Sequence, residues 1–262
     1  MEKALFISKT NKLNEDNLKG YHRLYFGQEF CEKLIPCKID VDKAINICTY
    51  MDLGFIFVTP YATDKGIDEL IPLLKHISEK IPGCEVVIND YGLLDTVNQL
   101  KLKPCLGRML VKMKKEPRIK LFLDNHKLMS YYKKSNLDSE SFRRFLKENN
   151  IHRAEFDNPT QGIGTDLTNT NIDGSLYYPY VNITTTRRCP SNSCDKLSKK
   201  PYIGIYPCQK ECQKYLIKKH SEQLPLPVLI KGNSEFYENT EVPNNLLEKG
   251  INRLVYQLEI PI

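Results

Sequence analysis

Nine short apolar, β-rich runs recur along the chain, and many are separated by stretches with helical periodicity. They are KALFIS near residue 5, HRLYFG near 24, GFIFVTP near 57, CEVVIND near 87, CLGRML near 108, HRAEFD near 154, YVNITTT near 183, PVLIKGN near 229 and NRLVYQL near 254. Between them, GIDELIPLLKHISEKI places Ile67, Leu70, Ile71, Leu74, Ile77 and Ile81 on one helical face, and SESFRRFLKENN does the same with Phe142, Phe145 and Leu146. Strand and helix in alternation predict a parallel sheet covered by helices. Nine candidates where a barrel needs eight favour an α/β fold closed as a TIM-like (β/α) barrel, complete or irregular, over an open doubly wound sheet. The expectation is one barrel-like domain over 1–262 with a Cys-rich insertion at about 187–214.

Two segments break the pattern. Residues 158–173 (NPTQGIGTDLTNTNID) are rich in Gly, Thr, Asn and Asp and read as a long loop on one barrel face. Residues 187–214 hold four cysteines and a lysine cluster between two strand candidates.

The formal charge of +6, from 38 basic and 32 acidic residues, is too small a surplus to diagnose a nucleic-acid binder. Its densest runs are Lys112–Lys115 and Lys196–Lys200. No stretch reaches the roughly 18 apolar residues of a membrane span, and the first residues carry too short an apolar run for a secretory signal, so a cytoplasmic location is expected. Nine cysteines, an odd number without a secretory signal, fit metal binding better than a disulfide framework.

Cys189, Cys194, Cys208 and Cys212 are spaced C-x4-C-x13-C-x3-C in a Pro-, Ser- and Lys-rich loop where packing cysteines seldom cluster. Thiolates suit zinc or an iron-sulfur centre, and spacing leaves both open. A radical-SAM motif is excluded, because the third cysteine would fall at Tyr215. Cys48, Cys84 and Cys105 read as core residues. Cys31 follows the strand-like HRLYFGQEF, a position from which a barrel aims side chains at its functional face.

LYFGQEFCEKL, with Cys31, resembles the segment ending in cysteine near the start of the collagenase-like unclassified (U-type) peptidase family, which includes the UbiU/UbiV-like iron-sulfur proteins. VNITTTRRC, CQKEC and VLIKGNSEF followed by NLLEKGINRLVYQ look similar in the same order. The resemblance implies a 4Fe-4S cluster on Cys31, Cys189, Cys208 and Cys212, with Cys194 spare or replacing Cys189, and zinc the alternative. It also implies oxygen-independent hydroxylation of a quinone precursor or RNA base, anaerobically, and a homologous partner subunit. Arg187, Arg188 and Lys210 would offset the cluster's negative charge.

Asn89, Asp90, Arg108 and Glu155 are candidate substrate-binding residues at strand ends, each with a structural alternative: Asp90 as a helix cap, Arg108 as an ion-pair partner, Glu155 with Asp157 on one strand face. Three functions follow. The first is a redox or hydroxylating enzyme or subunit, and the second is a metal-stabilised module binding RNA or protein through Tyr177–Tyr180 and the lysine-rich loop. A peptidase ranks last, because no nucleophile-base pair or HExxH motif is present.

Overall fold

The computed structural model describes residues 1–195 and 207–262. The lysine run Lys196–Lys200 lies outside the described residues. In chain order the first seven strands are β1 (Glu2–Ile7), β2 (Arg23–Gly27), β3 (Gly54–Val58), β4 (Glu85–Ile88), β5 (Lys103–Leu106), β6 (Arg153–Asp157) and β7 (Asp173–Tyr178). Then come β8 (Tyr180–Thr185), β9 (Ile217–Lys219), β10 (Val228–Lys231) and β11 (Ser234–Glu238), and β12 (Ile251–Gln257) ends the series. β1 to β7 and β12 form a closed parallel barrel, with β12 between β7 and β1. The expected TIM-like barrel is therefore present.

Its strands are apolar on both faces, as a covered parallel sheet requires. Ala4, Phe6, Tyr25, Ile56, Val58, Val87 and Tyr177 point into the barrel, while their neighbours Leu5, Ile7, Leu24, Phe26, Phe55, Phe57, Val86 and Ile88 pack outward with the helices. The helices are α1 (Glu15–Leu18), α2 (Lys38–Met51), α3 (Asp64–Lys80), α4 (Leu94–Gln99), α5 (His126–Tyr132) and α6 (Glu140–Glu148). α3 buries Leu70, Leu73, Leu74 and Ile77, close to the expected face. Among the described residues no helix is long and apolar enough to cross a membrane.

Two strand expectations need correction. YVNITTT and PVLIKGN are not barrel staves. They are β8 and β10 of a separate antiparallel sheet, ordered β8-β11-β10-β9, that occupies the crossover from β7 to β12 where a helix would ordinarily run. The missing stave is β7, DGSLYY, which runs into β8 through the cis Tyr178-Pro179 peptide, so the two read as one stretch. The crossover from β6 to β7 also lacks a helix and is the expected loop.

The N-terminal end of the barrel is closed by Arg253, which donates to Glu85 Oε2 at 2.7 Å and to Glu2, while Arg23 also pairs with Glu2. The small sheet lies at the C-terminal end, where Asp157 Oδ1, ending β6, accepts the backbone N–H of Asn182 in β8 at 2.9 Å.

Candidate metal centre

The site is organised by the two-residue turn between β10 and β11. Gly232 has φ +60°, which glycine tolerates best, and Asn233 completes the hairpin. Asn233 Nδ2 donates to the carbonyl of Phe30 at 2.7 Å, fixing the residue before Cys31. The Asn233 carbonyl accepts from Thr186 N at 2.9 Å and the Gly232 carbonyl from Ser191 N at 3.3 Å, holding the segment that carries Cys189. A side chain at Gly232 would stand 3.7 Å from Cys212 Cβ. One turn thus touches all three cysteine-bearing segments.

Cys31 reaches the turn because the chain leaves β2 at Gly27, with φ +140°, where any Cβ would collide with the Val58 carbonyl. Cys189 hangs from the small sheet, after β8, and not from a barrel strand as the sequence suggested. Glu211, 4% exposed, joins the remaining pieces: its carboxylate accepts the backbone N–H of Ser193 at 3.0 Å and of Gln209 at 3.1 Å. Phe30, Cys212, Leu229, Phe236, Ile260 and Ile262 pack together as an apolar base.

The four expected ligands lie near enough for their charges to act on one another. Burial pushes the Cys31 thiol up to about 11, a backbone N–H from Lys33 acts against this, and Cys212, Cys189 and Cys208 are close enough to add to the rise. Burial also raises Cys189, with Cys212 and Cys208 again as neighbours. Each sulfur accepts an N–H group. Lys33 N serves Cys31, Ser191 and Asn192 N serve Cys189, Lys210 N serves Cys208 at 3.4 Å, and the Gln213 side-chain amide serves Cys212 at 3.6 Å. In three of them a donor comes from two residues downstream.

Cys194 differs. Burial raises its thiol, and the carboxylates of Asp195 and Glu211 act on it more strongly than Cys212 does. Cys37 is exposed and bonds Asp40 at the start of α2, while Cys48, Cys84 and Cys105 are buried in the core, as expected. Among the described residues no group of three or more His, Cys, Asp or Glu is placed to hold a metal ion.

Beneath the site, Arg108 is fully buried. It donates to both Glu29 oxygens at 2.9 and 2.5 Å, to Asp157 Oδ1 at 2.8 Å and to the Tyr180 carbonyl at 2.9 Å, and it lies over the rings of Phe30 and Tyr177. Burial alone would lower its pKa, but Glu29 and Asp157 overcome this and hold it charged. Lys115 Nζ completes the network at 2.6 Å from Asp157 Oδ2. Asn89 donates to the Thr59 carbonyl at 2.9 Å, and Asp90 caps the following turn through Gly92 N at 2.9 Å. Glu155 lies deeper in the barrel, accepting from Tyr25 Oη at 3.2 Å, and burial raises its pKa to about 7. Of the four candidate substrate residues, three are engaged in holding the barrel end. Glu155 keeps one oxygen, Oε2, without a partner among the described residues.

No protein-family model matches this chain, and no curated protein matches it. Among solved structures it is similar to the U32 peptidase Mk0906, at 9% sequence identity and TM-score 0.49, with 100% of this chain and 94% of that chain covered. At that identity and score the similarity adds nothing to the reading of the site.

Sequence reasoning missed Asn233, Glu211 and Glu29. The Gly-Asn pair was legible as a turn signal, and Glu29 stands two residues before Cys31. Nothing in the sequence marked Glu211 as buried. Of the tyrosines considered for RNA stacking, Tyr177 is buried inside the barrel.

Proposed function

We propose that this protein is an iron-sulfur protein, with a 4Fe-4S cluster held by Cys31, Cys189, Cys208 and Cys212, that serves as a redox enzyme or the redox subunit of one. The observation that supports this reading is that Cys31 and the late cysteines Cys189, Cys208 and Cys212 lie near enough for their charges to act on one another, and that each sulfur receives an N–H bond. Such bonds stabilise thiolate and tune a cluster's potential.

When bound, a 4Fe-4S cluster supplies one-electron transfer. The protein's own contribution is to bring four sulfurs together, exclude water with Phe30, Phe236 and Ile262, and offset negative charge with Arg187 and Lys210. Arg187 is itself steadied by Tyr61, whose Oη accepts from Nε at 3.1 Å and whose ring lies 5.0 Å from the guanidinium. The resemblance to oxygen-independent hydroxylating proteins supports hydroxylation as the reaction served, with a homologous subunit as partner.

The test is a reductive titration of anaerobically purified protein followed by visible absorption and electron paramagnetic resonance. Bleaching with a reversible one-electron signal supports the redox role. A metal centre that no reductant alters contradicts it and leaves a structural role.

A further inference from the structure

The crossover from β5 to β6 makes an excursion over residues 113–135 that is fixed at its base and apolar at its tip. At the base Asn136 N donates to the Lys112 carbonyl at 3.0 Å, Lys112 N donates to Asn136 Oδ1 at 2.9 Å, and Met113 pairs with Ser135. The buried Gln161 amide donates to the carbonyls of Lys114 and Tyr132, at 2.5 and 3.2 Å. Two short helical pieces make up the excursion, a 3-10 helix over Pro117–Phe122 and α5, and buried Pro117, Ile119 and Met129 anchor them. They meet in a turn where Asn125 N donates to the Phe122 carbonyl at 2.9 Å and Asn125 Oδ1 caps α5 through Leu128 N at 3.1 Å.

Every residue from Lys120 to Lys127 is exposed. A surface turn of this kind is ordinarily polar, since nothing covers its side chains. Here three consecutive positions are large and apolar: Leu121 is 62% exposed, Phe122 48% and Leu123 39%. Single apolar residues at a surface need no explanation, but a run of three marks a contact surface. Tyr131, on α5, adds an exposed aromatic ring.

Positive charge surrounds the tip. Residues 112–134 hold eight basic residues against Glu116 and Asp124. Arg118 pairs with Glu116, and Lys115 with Asp157. Lys112, Lys114, Lys120, Lys127, Lys133 and Lys134 make no ion pair among the described residues, and Asp124 is the one acid of the segment left to oppose them. Asp138, just past the base, brings one further negative charge and is bonded to Ser135 N and Thr165 Oγ1. Lys133 lies near another lysine, Lys249. The surplus is therefore not cancelled locally, and an anionic surface complements it. A bilayer accepts apolar side chains that project from a turn without needing a groove shaped to them, whereas nucleic acid offers nothing to Leu121 or Leu123.

We propose that this excursion is a peripheral docking tip for an anionic lipid bilayer. Leu121, Phe122 and Leu123 enter the membrane interface, and the flanking Lys120 and Lys127 meet the headgroups. The surface is independent of the proposed cluster.

The chain contains no tryptophan, so Phe122→Trp reports the tip alone. The anaerobically purified full chain is mixed with phosphatidylcholine vesicles, with and without phosphatidylserine, and followed by co-sedimentation and indole emission. Binding to the phosphatidylserine vesicles is expected to be about tenfold or more tighter than to phosphatidylcholine alone, and to weaken as salt rises. The emission of Phe122→Trp is expected to shift to the blue on binding, while Tyr50→Trp, at an exposed position of α2, stays unshifted. Leu121→Ser with Leu123→Ser, checked for native melting, is expected to weaken sedimentation about tenfold or more, and Lys120→Gln with Lys127→Gln about tenfold. Absence of sedimentation with phosphatidylserine vesicles overturns the proposal; salt-dependent binding to polyuridylate or self-association in its place would assign the tip to RNA or to a second copy of the chain. Equal binding to neutral vesicles, an unshifted Phe122→Trp in sedimented protein, or indifference to the serine pair overturns it as well.

Discussion

The side chain of Asn233 holds the carbonyl of Phe30 at 2.7 Å across 203 positions of sequence, so a hairpin late in the chain fixes the backbone beside an early cysteine. Removing this donor leaves a buried carbonyl unpaired, at a cost of about 1–3 kcal/mol. Asn233→Ala is expected to fold with its barrel intact while releasing the proposed cluster faster than the parent, measured as the rate of colour loss to a chelator under nitrogen. An unchanged rate would show that the turn does not position Cys31.

Glu211 links the two halves of the cysteine loop through Ser193 and Gln209. Glu211→Ala removes a buried acceptor from two N–H groups, and a loss of about 1.5–3 kcal/mol per charged bond is the scale expected. The metal content of this variant is expected to fall well below that of the parent, with little change in the far-ultraviolet circular dichroism of the barrel. Glu211→Gln, which keeps one acceptor oxygen, is expected to recover part of it.

Arg108 joins Glu29 and Asp157 in a network with no solvent access. Truncating it strands the buried Glu29 carboxylate and takes one partner from Asp157, which keeps Lys115 and the Asn182 N–H, and breaking such a buried pair costs about 3–5 kcal/mol. Arg108→Ala is expected to lower the denaturation midpoint sharply. Arg108→Lys is expected to recover little, because a lysine cannot reproduce the fork that spans Glu29 and Asp157. Urea titrations distinguish these outcomes, and near-parental stability of Arg108→Lys would contradict the bidentate account.

Glu155 carries a pH signature. Burial raises its folded pKa to about 7 from an ordinary 4.5, so the folded state holds this proton more tightly than the unfolded chain. Its contribution is fully present below about pH 4.5 and is lost as pH rises through about 7, a span worth about 3 kcal/mol. Relative to Glu155→Gln, the parent is expected to lose stability between pH 5 and pH 8. Parallel stability curves for the two proteins would show that Glu155 is ionised when folded.

The barrel was legible because both-sided burial writes continuous apolar runs into β1 to β4, and because α3 carries a regular helical face. β7 was not, since its DGSLYY passes into β8 through Tyr178-Pro179 without a turn signal to divide them. Cys31 and the late cysteines could be nominated from position and resemblance. The turn that holds their segments could not, because it belongs to a small sheet whose strands look like barrel staves and differ from them only in partner. Arg108 illustrates the same limit: the sequence offers an arginine near a strand end, and only the fold supplies Glu29, 79 positions away, to occupy it.

The most direct test of the account is iron, sulfide and zinc analysis of protein purified without oxygen, comparing the parent with Cys31→Ala and Cys194→Ala. The account predicts a brown parent with about four iron and four sulfide per chain, near-complete loss of both in Cys31→Ala, and retention in Cys194→Ala. A colourless parent with one zinc that depends on Cys194 and not on Cys31 would contradict it.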